Sequence, residues 1–373
     1  MPEPIQRVIG DARRVHAEPP QLIAPRNRGG LVLERAHGLP PLEAGVIHRH
    51  RRFLRATAEE TTNSHRHERI PPRRHRAETG VASVRPVRVA TWNVNSAKQR
   101  LPRLLPWLDE RKPDVLCLQE TKLADEAFDA LLGEELAARG YATARHGEVQ
   151  WNGVAILSRA GLDDVRVGVP GAPGFPHAEA RAVAATCGGI RVHCVYVPNG
   201  REPGSEHYDY KLAWLAALRE LLGAAPEAAI VCGDMNIAPS DVDVFDPDAY
   251  VGHTHVTAPE RAALAELRAL GLRDVVRDRW PTERVFTYWD YRAGMFHQDL
   301  GMRIDLVLAG AAVAPRVRAA WVDRQARKGA GPSDHAPVIV DLDDAPDGDI
   351  GPVVPPPSAP AARRGARKLP QSR

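Results

Sequence analysis

Carboxylates, carboxamides and one imidazole recur in this chain where apolar runs end or are interrupted. They are Asn93 in Thr91-Trp92-Asn93, Glu120 in Gln119-Glu120-Thr121-Lys122, Asp234 and Asn236 in Gly233-Asp234-Met235-Asn236, Asp305 in Arg303-Ile304-Asp305-Leu306, and Asp334 and His335 in Ser333-Asp334-His335-Ala336. Such groups gathered at strand ends form a polar cluster suited to a hard divalent cation and a phosphate ester. The chemistry this points to is metal-assisted hydrolysis of a phosphodiester.

Each residue type has a use in that reaction. Glu120 is a candidate ligand, because a cation held by one or two carboxylates keeps open positions for phosphate oxygens. Asp234 and Asn236 flank Met235, so an extended segment would point both to one side; the first would orient a water, the second would donate to phosphate. A turn after the strand is the competing reading of the same residues. Asp305 would fix the tautomer of His335 and raise its pKa, leaving the other ring nitrogen to donate to a phosphoryl oxygen. By the same two-residue spacing, Lys122 and Arg303 would share the faces of Glu120 and Asp305 and pair with ligands or with the scissile strand. In Tyr196-Val197-Pro198-Asn199-Gly200, Tyr196 and Asn199 offer an O–H and an amide N–H to phosphate. The run Phe286-Thr287-Tyr288-Trp289-Asp290-Tyr291-Arg292 sets aromatics beside an arginine, which suits a pocket or wedge that senses a missing base.

These groups need a scaffold, and the chain between Val87 and Leu342 supplies the pattern of one. Residues 87–93 alternate polar and apolar, the mark of a half-buried strand. Leu101, Leu104, Leu105 and Leu108 follow at helical spacing before Pro113, and 114–118 reads as a strand buried on both faces. Helices are predicted near 126–138, 210–222 and 259–270, and strands at 153–157, 181–186, 190–197, 229–232, 304–309 and 337–342. Adjacent strands without an intervening helix imply hairpins, hence α/β architecture with mixed sheets.

At 373 residues and 43% hydrophobic content, the chain can bury a substantial core. The flanks differ from the middle. Residues 1–86 hold 16 arginines, no lysine and 9 acidic residues, a surplus of +7, and residues 345–373 carry +3; the chain as a whole is +3, which leaves the middle at −7. That distribution excludes a uniformly basic nucleic-acid binder. The first segment also holds 7 of the 15 histidines. It reads as a disordered basic arm, a small histidine metal site, or translated sequence upstream of a true start at Val81, Val84 or Val87. The expected organisation is an extension over 1–86, a catalytic domain over 87–344 and a Pro/Arg-rich tail over 345–373. Cys117, Cys187, Cys194 and Cys232 all sit in strand contexts with no CxxC pair, as core hydrophobes of a reducing compartment do. No secretory signal or membrane span is legible, so a cytoplasmic protein is expected.

The seven motifs together, Thr91-Trp92-Asn93-Val94-Asn95, Leu118-Gln119-Glu120-Thr121-Lys122, Tyr196-Val197-Pro198-Asn199-Gly200, Gly233-Asp234-Met235-Asn236-Ile237, Tyr288-Trp289-Asp290-Tyr291-Arg292, Arg303-Ile304-Asp305-Leu306 and Ser333-Asp334-His335-Ala336-Pro337, resemble those of the exonuclease III family of apurinic/apyrimidinic endonucleases. The resemblance implies a four-layer α/β sandwich of two mixed sheets, shared with deoxyribonuclease I. It implies a Mg²⁺- or Mn²⁺-dependent monomeric nuclease acting on double-stranded DNA with abasic sites or blocked 3′ ends, cutting 5′ to the abasic site. By position, Glu120 would be the metal ligand, with Asn93 and Asp334 near the metal and Asp234, Asn236 and His335 close to it. Tyr196, Asn199 and Asn236 would contact phosphate, Asp234 would handle the water, Asp305 would orient His335, and Tyr288, Trp289 and Arg292 would form the substrate pocket. Two other readings stay open: another phosphoesterase of the same fold, such as a phosphoinositide phosphatase or sphingomyelinase, and a catalytically silent lesion-binding protein.

Overall fold

The computed structural model describes residues 87–344, and the expectations for 1–86 and 345–373 lie outside the described residues. Among the described residues, twelve strands form two six-stranded sheets. The first sheet runs in the order β11 (Val317–Val322), β12 (Val338–Leu342), β1 (Val87–Asn93), β2 (Val115–Gln119), β4 (Val154–Ser158), β3 (Ala142–His146). The second runs β5 (Asp163–Val167), β6 (Ala182–Cys187), β7 (Ile190–Tyr196), β8 (Ala229–Asp234), β10 (Asp305–Ala309), β9 (Arg273–Asp274). Each sheet has one parallel pair joined through a helix. In the first, α1 (Ala97–Arg111) connects β1 to β2, and in the second, α4 (Glu206–Leu222) connects β7 to β8. The other pairings are antiparallel, so both sheets are mixed, as the hairpin argument required.

Side-chain alternation sorts the strands into layers. Val87, Val89, Val115 and Cys117 point inward to meet Val192, Cys194, Ile230, Cys232 and Val307 of the opposite sheet. Ala90, Trp92, Leu116 and Leu118 point outward against Leu104, Trp107 and Leu108 of α1. On the far side, Val195, Val231 and Leu306 pack against Trp214, Leu215 and Leu218 of α4 and against Leu264 and Leu267 of α5 (Ala258–Ala269). Burying apolar side chains on both faces at ~25 cal/mol per Å² is what drives this stacking. The result is the α/β sandwich expected, with helices outside two packed sheets.

β1 is buried along its whole length rather than half-exposed, because Arg88 faces Asp341 across the β1–β12 ladder and their ion pair at 2.6 Å satisfies both charges inside the protein. The helix expected over 126–138 starts at Asp125 and contains a π-helical turn, so it divides into α2 (Asp125–Phe128), the π turn Asp129–Gly133 and α3 (Glu134–Ala138). The edge strands β3, β5, β9 and β11 escaped the sequence reading. β5 is exposed throughout and β9 is two residues long, so neither carries a hydrophobic period to detect. A sixth helix, α6 (Val275–Arg279), follows β9 directly. Among the described residues, no helix is long and apolar enough to cross a membrane.

Candidate active site

The topology brings the motifs to one edge of the sandwich. Parallel pairing puts the ends of β1 and β2 side by side, with Asn93 opposite Gln119, and the ends of β7 and β8 likewise, with Tyr196 opposite Asp234. Antiparallel β10 then begins where β8 ends, pairing Asp305 with Asp234. β12 begins three residues after His335 and opposite the end of β1. Groups scattered over more than 240 residues of sequence therefore meet.

Asn93 joins the two halves. Its Nδ2 donates to Glu120 Oε1 at 2.8 Å and to Asp234 Oδ2 at 3.0 Å, one acceptor on each sheet. Asn93 thus ties two carboxylates together through its nitrogen, while its Oδ1 accepts from the Asn95 backbone. On the other side of Glu120, Lys122 Nζ lies 2.8 Å from Oε2 and 2.6 Å from Asn95 Oδ1. Asn95 Nδ2 in turn donates to Asp334 Oδ1 at 3.1 Å. Burial works against the charge on Glu120, but the Lys122 ammonium outweighs it and holds the carboxyl below its ordinary range. Glu120 and Asp334 are both only partly buried.

His335 and Asp305 are buried and directly bonded. His335 Nδ1 is 2.8 Å from Asp305 Oδ2, and Nε2 faces Asp234 Oδ2 at 3.8 Å. The second distance is too long for a hydrogen bond, so both atoms retain capacity for a third group. Thr287 Oγ1 accepts from the backbone N–H groups of Ile304 and Asp305, fixing the start of β10. Ser333 Oγ donates to Asn93 O and accepts from the His335 backbone, and Trp92 Nε1 donates to His335 O. Burial opposes a charged imidazole, yet Asp305 and Asp234 overcome it and raise the His335 pKa to about 10. Burial pushes Asp234 up to about 7, partly offset by His335.

The phosphate-side candidates are placed less uniformly. Asn199 is exposed and donates from Nδ2 to Asn236 Oδ1 at 3.2 Å. Asn236 does not continue an extended segment beside Asp234. Its φ of 51° is left-handed, its N–H bonds Asp234 Oδ1 at 2.9 Å, and its Nδ2 donates to Val197 O. This is the turn chemistry of Asp and Asn after a strand. Tyr196 is partly buried with the Arg181 guanidinium 4.8 Å from its ring centre, and burial together with Glu120 pushes its phenol well above the usual range, so it stands ready as a neutral donor. Tyr288 lies 4.9 Å from the His335 ring, centre to centre.

Three candidates stand apart from this cluster. Trp289 is 0% exposed, packed edge-on against Phe296 with Arg324 over its face and its Nε1 bonded to Asp299. Arg292 points into solvent and chelates Asp290. Arg303 is not available to the cluster at all: it is fully buried in ion pairs with Asp243 and Asp274, since a guanidinium at the strand start that enters the core must find carboxylates there. Thr287 and Asn95 sit inside motifs whose other residues carry the chemical signal, and no local sequence pattern marks Arg181 or Lys211.

Residues 90–335 match the sequence profile of the Endonuclease/Exonuclease/phosphatase family. The chain belongs to that family. Among relatives of this endonuclease/exonuclease/phosphatase family member, exodeoxyribonuclease III of Haemophilus influenzae is 31% identical over 263 residues, covering 66% of this chain and 97% of its own. An AP endonuclease from Archaeoglobus fulgidus shares the fold with a TM-score of 0.65 and 38% identity, covering 69% of this chain and 99% of its own. The 3′ phosphatase NExo from Neisseria, solved with a product DNA hairpin, gives the same figures: TM-score 0.65, 38% identity, 69% and 99% coverage.

The donor set fits the divalent cation this family implies. Glu120 Oε2 pairs with the Lys122 ammonium, which also bonds Asn95 Oδ1, and Asn95 Nδ2 donates to Asp334 Oδ1, so Lys122 and Asn95 connect the two carboxylates. Asp305 Oδ1 is a buried oxygen without a hydrogen-bond partner, and Asp234, Asp305 and His335 bring ligand atoms within 4.8 Å of one another. That second trio has the arrangement of a carboxylate-oriented histidine, because Asp305 already engages Nδ1.

Proposed function

We propose that this protein is a DNA repair nuclease that hydrolyses phosphodiester bonds 5′ to abasic sites and trims blocked 3′ ends in duplex DNA, with Mg²⁺ or Mn²⁺ held by Glu120 and Asp334. The observation that carries the reading is the buried line Asp305–His335–Asp234, tied through Asn93 to Glu120. When bound, the cation would neutralise charge on the phosphate and leaving oxygens. Asp234, raised toward neutrality by burial, takes the proton of the attacking water and keeps it aimed at phosphorus. His335, charged and oriented by Asp305, donates from Nε2 to the phosphoryl oxygen on which negative charge grows. Tyr196 and Asn199 add an O–H and an N–H to the same phosphate, and Asn236 holds Asn199 in place. Tyr288, beside His335, walls the site on the sugar side, with Trp289 as the packed floor behind it.

The catalytic domain is assigned to 87–344, and the cluster needs no second chain to be complete, which supports action as a monomer. Two duplexes decide the activity, one with an abasic-site analogue and one with a 3′-phosphate, each incubated with Mg²⁺ and with EDTA. Metal-dependent cleavage of the first at its 5′ side and release of phosphate from the second are the expected results. Binding without cleavage of either would identify a silent lesion binder. Inactivity on both, with hydrolysis of a phosphoinositide or sphingomyelin, would favour a different phosphoesterase.

A further inference from the structure

Lys211 on α4 is an ammonium fully removed from solvent, with its side chain and that of its partner Glu260 both 0% exposed. An ammonium has three donors, and here four acceptors surround them: Glu260 Oε1 at 2.5 Å, Asn236 O at 2.7 Å, Asn199 O at 3.1 Å and, most distant, Thr254 Oγ1 at 3.4 Å. The two carbonyls belong to the loops leaving β7 and β8, whose side chains meet through Asn199 Nδ2 and Asn236 Oδ1. Thr254 and His255 brace the same carbonyls, Thr254 Oγ1 at 2.9 Å from Asn199 O and the His255 ring at 2.6 Å from Asn236 O. Gly200 allows the approach, because a Cβ there would stand 2.8 Å from Lys211 Cδ. Glu260 is itself fixed by the N-cap of α5, accepting from the N–H and hydroxyl of Thr257.

Stability alone does not account for this arrangement. Desolvation offsets most of the Coulombic gain of a buried ion pair, and apolar residues of similar volume fill such a space as well or better. What an apolar pair would not do is fix the distance between the two exit loops. We propose that Lys211 is a positioning residue for phosphate capture: it clamps the β7 and β8 exits through the carbonyls of Asn199 and Asn236. By doing so it sets where Asn199 and Asp234 stand relative to the bound phosphate. The inference rests on the proposed reading of those residues as facing phosphate.

The test uses the full chain as wild type, Lys211→Met, Lys211→Arg and the double variant Lys211→Met/Glu260→Gln, each checked for folding by circular dichroism and thermal melting. Turnover is measured on the abasic-analogue and 3′-phosphate duplexes at saturating Mg²⁺, and affinity for the 3′-phosphate duplex is measured in EDTA across a salt series. Folded Lys211→Met should lose roughly tenfold or more in kcat and bind more weakly by the same factor at every salt concentration. Its salt slope should match wild type, because counterion release counts only cations that touch phosphate. Lys211→Arg, which restores donors to both carbonyls, should recover most of the turnover. If Lys211→Met does not fold, the double variant removes both charges together and is expected to fold while remaining slow. Turnover within twofold of wild type in folded Lys211→Met, full recovery in the double variant, or a salt slope lowered by about one, would each overturn the clamp. A wild-type protein inactive on both duplexes would overturn the functional reading beneath it.

Discussion

Asp305 decides which way His335 faces, and Thr287 decides where Asp305 stands by accepting from two consecutive backbone N–H groups at the head of β10. The chemistry is therefore concentrated in the pair that confronts across 3.8 Å, His335 and Asp234. Asp234→Asn keeps the shape and removes a negative charge, so it should bind an abasic duplex at least as tightly and cleave it slower by ~10²-fold or more. His335→Asn removes a donor aimed at transition-state charge and should also cut turnover sharply. Since both act on one transition state, the double variant should lose less than the sum of the single losses in free energy. Single-turnover cleavage on Mg²⁺-saturated duplex checks all three, and near wild-type rates for Asp234→Asn would remove it from the catalytic centre. Residue types announced most of this cluster in the sequence, but Arg303 shows the limit. Its spacing from Asp305 looked functional, and only the core contacts with Asp243 and Asp274 reveal a structural ion network.

At the scale of elements, the site depends on strand ends being held by helices outside the sheets. Among the contacts between α4 and α5 is the buried Lys211–Glu260 pair, and it carries a pH signature. Burial alone would raise the Glu260 carboxyl, but Lys211 and the hydroxyls of Thr257 and Thr254 more than offset this and bring it down to about 2. Burial also draws Lys211 below the usual lysine value, while Glu260 pulls it back up. A carboxyl depressed on folding contributes stability that is fully present above its unfolded value of ~4.3 and is lost as pH falls toward its folded one. Melting temperatures between pH 5 and 2.5 should therefore fall more steeply for wild type than for Glu260→Gln. Equal slopes would mean that the pair contributes nothing to acid stability. The helices were legible because Leu104, Leu108, Leu264 and Leu267 recur at helical spacing. The edge strands β5 and β9 were not, because the first is exposed throughout and the second is two residues long.

The whole molecule must bring a −7 middle segment to a polyanion, with +7 in residues 1–86 and +3 in 345–373. If the first segment contacts phosphate, its deletion should flatten the salt dependence of DNA binding while leaving turnover at saturating substrate nearly unchanged. Fluorescence-based binding across a salt series reads this directly, and an unchanged slope would assign the segment another role. The sequence by itself determined the chemical inventory, the α/β class with mixed sheets and the order of motifs, since side-chain type and hydrophobic period are local properties. Tertiary structure alone decided the rest. Parallel pairing of β1 with β2 and of β7 with β8, and antiparallel entry of β10, set Asn93, Glu120, Asp234, Asp305 and His335 within bonding reach, and no local pattern encodes register between strands far apart in sequence. It also buried Trp289, turned Asn236 and recruited Lys211, because which polar groups meet inside a protein depends on how distant elements pack.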